Sequence, residues 1–297
     1  MKHYMIVDMG TGNSRVALVR EDGRLICVKS FENVYYIDDA YEDAQYFDPS
    51  YWKRNILDLC REVIREHPDI IIDAISSSGA RETIVLINHE QEDFYGLPNI
   101  DNRGREWMSK IQQDGIYEKT GRWVTEDFPA AKLMGLQKRR KQLFDQVQTF
   151  TSLSEWIGYV LCGKIAIEPS QACETQLYDI VAHQWSEELL ERFGLQKLTM
   201  PRLMEAGSLL GYVKEELKQF LGITYDIPFI VGGADTHRLP CWAPVSKKVT
   251  LRLCPEQHPP WLHLGKPDTV IRRSAAGPMS GSRTACTKLK QIRALPA

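Results

Sequence analysis

The chain has 297 residues, of which 43% are hydrophobic, and a formal net charge of −2. This length predicts one large domain or two ordinary ones, with a substantial buried core. No apolar run approaches the roughly 20 residues of a membrane span, and the start of the chain turns polar too soon for a signal peptide, so we expect a cytoplasmic protein. The seven cysteines include no C-x-x-C pair, which predicts reduced, buried thiols rather than disulfides or zinc ligands.

Charge is distributed unevenly along the chain. Residues 237–297 contain eleven of the 37 basic residues and two of the 39 acidic ones, which gives them +9 and leaves residues 1–236 with −11. The same segment holds eight of the 15 prolines and three of the seven cysteines. Such a change in composition indicates two different kinds of sequence.

The apolar pattern predicts an α/β fold. Alternation and glycine turns predict an antiparallel meander of three strands at residues 3–8, 14–20 and 25–31. A helix is predicted from Asp48 to His67, followed by a buried strand at residues 70–75. Further strands are predicted at residues 84–87, 164–167, 176–180 and 229–231, and further helices at residues 103–112, 130–141, 152–161, 186–193 and 214–221.

The first turn carries groups typical of a phosphate site. Its candidate ligands are Asp8, Gly10, Thr11, Gly12, Ser14 and Arg15. Backbone N–H groups, hydroxyls and a guanidinium suit phosphate oxygens, and Asp8 can hold Mg²⁺ through water. The run is neither a Walker A loop nor a G-x-G-x-x-G fingerprint, so an ordinary hairpin turn remains the alternative.

Two further polar clusters carry candidate substrate ligands. Arg81 and Glu82 follow a predicted buried strand, at the sheet edge where α/β proteins place ligands. Together they offer donors and acceptors for a polyhydroxylated substrate. Asp101 and Arg103 form a second cluster of this kind. Opposite charges this close in sequence are more often part of a solvated turn, which is the alternative for either pair.

The strand at residues 229–231 ends in two glycines and a carboxylate. Gly232 and Gly233 let the backbone pass close to a ligand, and a strand end holds the following side chain rigidly. Asp235 is therefore the candidate general base. The alternative is a strand that simply ends in a polar turn.

These motifs occur in an order that resembles the FGGY carbohydrate kinases, over residues 3–236. The resemblance rests on the Asp8–Arg15 run, Arg81-Glu82-Thr83, Asp101-x-Arg103, Leu153-Ser154-Glu155-Trp156 and Gly232-Gly233-x-Asp235. It implies an actin-like, ribonuclease H-like α/β fold, with ATP and Mg²⁺ as cofactors and a sugar or polyol as substrate. By the same resemblance Asp235 takes the proton of the reacting hydroxyl, while Arg81, Glu82 and Asp101 contact substrate hydroxyls or line the cleft.

The resemblance also bears on the substrate. Asp127 falls where glycerol kinases carry a substrate-contacting tyrosine, which makes it a candidate substrate ligand and argues against glycerol. The run at residues 153–170 is most similar to autoinducer-2 kinases and next to xylulokinase-like members. Because this run is mostly helix and framework, it indicates ancestry more than substrate.

The family pattern breaks after Thr236. When the third base of each codon is joined to the first two bases of the next, residues 237–263 can be reread as QAALLGAGVKEGDIAVVSGTTSPVVT, which resembles the family's continuation. We therefore predict a shifted reading frame at about Thr236 or His237. Residues 1–236 would be the sugar-binding domain, residues 237–297 an out-of-frame and poorly structured tail, and the second domain would be missing.

A chain of this kind is expected to show little turnover, and to dimerise or aggregate through the face that the second domain would cover. Three alternatives remain. The first alternative is a sugar-binding module without chemistry. The second is an actin-like or chaperone-type ATPase, but the Arg81-Glu82 and Asp101-x-Arg103 clusters argue against it. A basic tail for nucleic acid is the third, but the tail has only two aromatic residues and no basic helical face. We expect neither nucleic acid nor membrane as a partner.

Overall fold

The computed structural model describes residues 1–235, so the predictions for residues 237–297 lie outside the described residues. The strands are β1 His3–Met9, β2 Asn13–Arg20, β3 Leu25–Glu32, β4 Tyr36–Ile37, β5 Gln45–Tyr46, β6 Ala74–Gly79, β7 Ile84–Asn88, β8 Asp93–Leu97, β9 Val147–Ser152, β10 Ala166–Ile167, β11 Tyr178–Asp179, β12 Gln184–Trp185, β13 Arg202–Leu203, β14 Leu209–Tyr212 and β15 Pro228–Ala234. The helices are α1 Pro49–Glu66, α2 Ile116–Thr120, α3 Pro129–Arg139, α4 Lys141–Phe144, α5 Leu153–Cys162, α6 Pro169–Cys173, α7 Glu187–Phe193 and α8 Glu215–Leu221, with a 3₁₀ helix at Arg105–Lys110.

A six-stranded sheet in the order β14-β15-β6-β1-β2-β3 forms the centre of the fold. β1, β2 and β3 pair antiparallel, which confirms the predicted meander. β6 runs parallel to β1 on its other side, and β15 runs parallel to β6. The carboxyl ends of β1, β6 and β15 therefore lie side by side at one edge of the sheet.

Helix α1 forms where the sequence predicts it. The Asp48 side chain accepts a hydrogen bond from the Ser50 N–H at 2.8 Å and caps the amino end of the helix. Trp52, Ile56 and Val63 recur at helical spacing and are buried against the sheet. Helix α5 buries its own apolar residues in the same core, so one face of the sheet carries both helices.

The predicted strand at residues 70–75 is wrong in position. β6 begins at Ala74 and continues to Gly79, so the three serines placed after the strand lie inside it. The pairing with β1 decides the position, because Tyr4 lies opposite Ala74 and Asp8 opposite Ser78. The small side chains of this strand also suit close packing, since a Cβ on Gly79 would lie 2.6 Å from the Ser154 nitrogen of α5.

A second, smaller core lies beside the central sheet. β8, β7 and β9 form an antiparallel sheet that packs with α3 and α7. The sequence predicted only β7 of these three strands. The helix predicted at residues 103–112 is a shorter 3₁₀ helix, because Arg103 is drawn into a buried ion-pair network and precedes the helical residues.

The four cysteines of the described part form no disulfide. Cys60 is buried, and burial raises the pKa of its thiol to about 12; the other three are only partly buried. Within residues 1–235 no helix is long and apolar enough to span a membrane.

Candidate functional site

The sheet places the predicted catalytic base beside the predicted phosphate turn. Ser78 of β6 lies opposite Asp8 on one side and Gly233 on the other. The Asp235 N–H donates to the Gly79 carbonyl at 3.1 Å, and the Ala80 N–H donates to the Met9 carbonyl at 2.8 Å. Three loops that are far apart in the sequence are thus tied together at one edge of the sheet.

The two glycines of β15 allow this strand to pack closely against its neighbours. A Cβ on Gly232 would lie 1.6 Å from the Ser77 carbonyl oxygen, and Gly233 adopts a φ of +154°. The register between β15 and β6 shifts between Ile230 and Gly233, as in a β-bulge. Only glycine fits this crossing, which directs the chain towards Asp235.

The carbonyl groups of Gly10 and Thr11 in the first turn point towards Asn33 and Tyr35. The Asn33 side-chain amide donates to the Gly10 carbonyl at 2.7 Å, and the Tyr35 hydroxyl donates to the Thr11 carbonyl at 2.6 Å. The peptide bonds are trans, so the N–H groups of Thr11 and Gly12 point to the opposite side. Successive N–H groups that point to the same side are a feature of anion-binding turns.

The space next to this turn is open. A Cβ on Gly12 would meet nothing within 4 Å, whereas one on Gly10 would lie 2.9 Å from the Asn13 carbonyl.

The charged side chains of the turn form an ion pair. Arg15 Nη1 lies 3.1 Å from Asp8 Oδ2, and burial is the main reason why the pKa of Asp8 is raised. The Ser14 hydroxyl is fully buried and donates to Asn33 Oδ1 at 2.8 Å, so it holds the turn and does not face a ligand.

The second turn presents Arg81 and Glu82 directly after β6. Arg81 Nη1 donates to Glu174 Oε1 at 3.3 Å, and Arg122 donates to the same oxygen. Glu82 has a φ of +62°, which is uncommon for a residue other than glycine. Burial foremost, helped by the nearby carboxylate of Glu174, raises the pKa of Glu82.

Asp127 and Asp101 have different surroundings. Asp127 is exposed and close enough to Glu82 for the two charges to interact. Asp101 is fully buried; its carboxylate accepts from the Gln45 N–H at 3.0 Å and from Arg103 Nε at 2.7 Å. The prediction that Asp101 contacts substrate is thereby corrected: the residue anchors Arg103 inside the protein.

A buried network lies behind Asp235. Gln171 Nε2 donates to the Gly79 carbonyl at 3.0 Å and to the Ser154 hydroxyl at 3.2 Å. That hydroxyl donates to Glu155 Oε2 at 2.9 Å, while Glu155 Oε1 is buried without a partner among the described residues. Burial raises the pKa of Glu155 to about 7.

Glu155 makes stability depend on pH. A carboxyl whose folded pKa of about 7 lies above its ordinary value of 4.5 binds more protons in the folded state between these values. The free energy of unfolding should therefore fall as pH rises from about 5 to 8, by an amount on the order of 3 kcal/mol. Urea unfolding of Glu155→Gln should lack this part of the slope. The exposed Glu90→Gln is the control, and identical slopes in all three proteins would contradict the assignment.

Several residues of the site carry no local sequence signal. Asn33, Tyr35, Gln171 and Glu174 reach the turns from distant segments, so only the folded chain shows their contacts. No group of three or more histidine, cysteine or acidic side chains able to hold a metal occurs within residues 1–235. A single carboxylate such as Asp8 suits Mg²⁺, which keeps several waters and is shared with phosphates.

A meander continued by two parallel strands, with carboxylates at the ends of β1 and β15 around a glycine turn, is the arrangement of an actin-like ATPase domain. The chain belongs to the FGGY family of carbohydrate kinases: the model of that family's N-terminal domain matches residues 3–238. It is 39% identical over 237 residues to YoaC of Bacillus subtilis strain 168, which is named as a sugar kinase. It is 28% identical over 247 residues to the autoinducer-2 kinase of Escherichia coli K12.

Solved structures bear out the fold. The chain superposes on a ligand-bound xylulose kinase from Lactobacillus acidophilus with a TM-score of 0.72 at 22% identity, covering 80% of this chain and 49% of that one. It superposes on a Plasmodium falciparum glycerol kinase with ADP with a TM-score of 0.70 at 20% identity, covering 79% and 49%. In the sequence comparisons, 80% of this chain matches 49% of YoaC and 46% of the autoinducer-2 kinase. The chain thus spans about half the length of the relatives it matches.

Proposed function

We propose that this protein derives from an ATP-dependent kinase that phosphorylates a hydroxyl of a sugar or polyol, with Asp235 as the general base. The observation that carries the proposal is the common sheet edge, where the Asp235 backbone is bonded to Gly79 two residues before Arg81. A base, an anion-binding turn and a polar substrate turn are the parts that phosphoryl transfer to an alcohol requires.

The substrate would bind over the second turn. Glu82 and Asp127 accept hydrogen bonds from substrate hydroxyls, and Arg81, held by Glu174, donates to a substrate oxygen. Asp235 accepts the proton of the hydroxyl that reacts, which leaves an oxygen nucleophile next to the first turn. Asp101 and Ser14 are both fully buried: Asp101 anchors Arg103, and Ser14 holds the first turn.

The first turn fits the phosphates of a nucleotide. The N–H groups of Thr11 and Gly12 face away from Asn33 and Tyr35, and the space beside Gly12 is open. MgATP, when bound, supplies the phosphoryl group. Arg15 and the N–H groups would bind phosphate oxygens, and Asp8 would orient a water of the magnesium ion. One structural neighbour, a glycerol kinase, carries ADP.

The 297-residue chain itself should turn over little substrate. Residues 237–263 resemble the family's continuation only when the reading frame is shifted, and from this we infer that the second domain is missing. Residues 1–235 nevertheless contain the whole second turn, which favours a second candidate function: sugar binding without chemistry. A cytoplasmic location and self-association through an exposed face belong to the same proposal.

Calorimetry on the 297-residue chain tests the substrate site. Titration with D-xylulose, D-ribulose and D-gluconate should reveal at least one ligand, while glycerol should bind weakly because Asp127 replaces an aromatic contact. Glu82→Gln should weaken that binding about tenfold, since a charged acceptor is lost, whereas the exposed Glu90→Gln should not change it. Nucleotide hydrolysis that is indifferent to all of these compounds, without binding, would favour a plain ATPase instead.

A further inference from the structure

A buried lysine contacts the second turn and the loop that begins at Pro98. Lys132 of α3 is fully buried, and its Nζ donates to the Glu82 carbonyl at 2.9 Å and to the Pro98 carbonyl at 2.7 Å. Burial of an ammonium group is costly unless it is hydrogen-bonded and near opposite charge. The two carbonyls accept the hydrogen bonds of the ammonium group, and the carboxylates of Asp101, Glu82 and Asp127 supply the opposite charge.

The bond to Glu82 supports a strained residue. Glu82 keeps a φ of +62°, a conformation that costs energy in any residue with a side chain and persists only where its surroundings hold it. Lys132 binds the carbonyl of this same residue. The hydrogen bond from Lys132 therefore stabilises the backbone conformation that directs the Glu82 side chain.

The second carbonyl belongs to a loop that contacts both turns. The Asn99 N–H donates to the Thr83 hydroxyl at 3.0 Å, beside the substrate turn. The Asn99 side-chain amide donates to the Thr11 hydroxyl at 2.9 Å, in the phosphate turn. Because Thr11 accepts this bond, its own hydroxyl hydrogen is left for another acceptor, such as a phosphate oxygen.

The far end of this loop is fixed to the same helix. A Cβ on Gly135 of α3 would lie 2.6 Å from the Arg103 carbonyl oxygen, and one on Gly104 would lie 2.7 Å from the Ala131 Cβ. Helix and loop are thus packed at backbone contact, and the Asp101 carboxylate binds Arg103 between them. Loop 98–103 has little room to move against α3.

We propose that loop 98–103 is a strut that sets the distance between the phosphate turn and the substrate turn, with Lys132 and Asn99 as its positioning residues. The inference rests on the proposed function, because it assigns the two turns to two reactants. Displacing a reactant by about 1 Å can cost a factor of about 100 in rate, so such a strut acts on the reaction without touching either reactant.

Hydrogen exchange of the 297-residue chain tests the strut without a ligand. Lys132→Met should speed amide exchange in peptides covering residues 80–84 and 98–102 about five- to tenfold, and leave β2 unchanged. Lys138→Met, at an exposed position of the same helix, should change neither. Asn99→Ala should speed exchange in residues 9–13 and 80–84, whereas Asn102→Ala in the same loop should not.

Faster exchange throughout the chain, or no local change in either variant, would overturn the proposal, since the residues would then be merely structural or dispensable. Should Lys132→Met fail to fold, Lys132→Gln, which keeps a donor, should speed exchange in the same two peptides by a smaller factor, and Asn99→Ala tests the proposal through its own peptides. Failure of the sugar titrations with a local exchange response intact would overturn the proposed function and leave the strut standing.

Discussion

Replacing Gly232 with alanine is expected to lower the free energy of unfolding by about 3 kcal/mol or more. The added Cβ would lie 1.6 Å from the Ser77 carbonyl oxygen and 2.8 Å from its carbon. Both atoms belong to the backbone of a central strand, which cannot move without breaking its pairing with β1. The clash must therefore separate β15 from β6 and displace Asp235.

Urea unfolding followed by tryptophan fluorescence measures this loss. Gly12→Ala is the matched control, because a Cβ there would meet nothing within 4 Å and the residue does not adopt a left-handed φ. Its stability should change by less than about 1 kcal/mol. Equal stability of Gly232→Ala and the parent chain would contradict the tight crossing of the two strands.

Replacing Asp235 with asparagine is expected to have the largest effect on activity. In a chain translated from a gene re-framed after the Thr236 codon, Asp235→Asn should lower kcat about 1000-fold, because the amide cannot take the hydroxyl proton. The change keeps the size of the side chain, and sugar binding should stay within about threefold of the parent, since the base acts mainly in the transition state.

The measurement is a coupled kinase assay together with a sugar titration of both proteins. Glu90→Gln in the re-framed chain is the control for a distant change of the same chemical kind. A fall in sugar affinity that accounts for the whole loss of kcat/KM would show Asp235 to be a binding residue, not the base. Unchanged kcat would remove Asp235 from the mechanism altogether.

The sequence correctly predicted those elements whose structure is determined by residues close together in the chain. β1 to β3 and α1 were predictable because period-two alternation, glycine turns and the Asp48 cap are each written within a few residues. β6 was misplaced because its limits are set by pairing with β1, and a run of apolar residues does not encode register.

The site was predictable as a set of turns and not as a set of contacts. The sequence could place Asp8 at the end of a strand and Arg81 and Asp235 after strands, but it could not place the hydrogen bonds that join those strand ends. It could not distinguish a residue that binds substrate or phosphate from one that only stabilises the protein interior. Ser14 is hydrogen-bonded to Asn33, and Asp101 is buried with Arg103, and no local pattern predicts either contact. Lys132 lies in α3 within residues 129–136, which are all buried, and no local pattern predicts that a lysine faces inwards.

The central proposal is that residues 1–235 belong to the sugar-binding half of a carbohydrate kinase and that residues 237–297 are out-of-frame sequence. The most direct measurement is ATP-dependent phosphorylation of the sugar panel by the 297-residue chain beside the re-framed chain. The account predicts phosphorylation of at least one sugar by the re-framed chain and little or none by the 297-residue chain. Turnover by the 297-residue chain, or an inactive but folded re-framed chain, would contradict it.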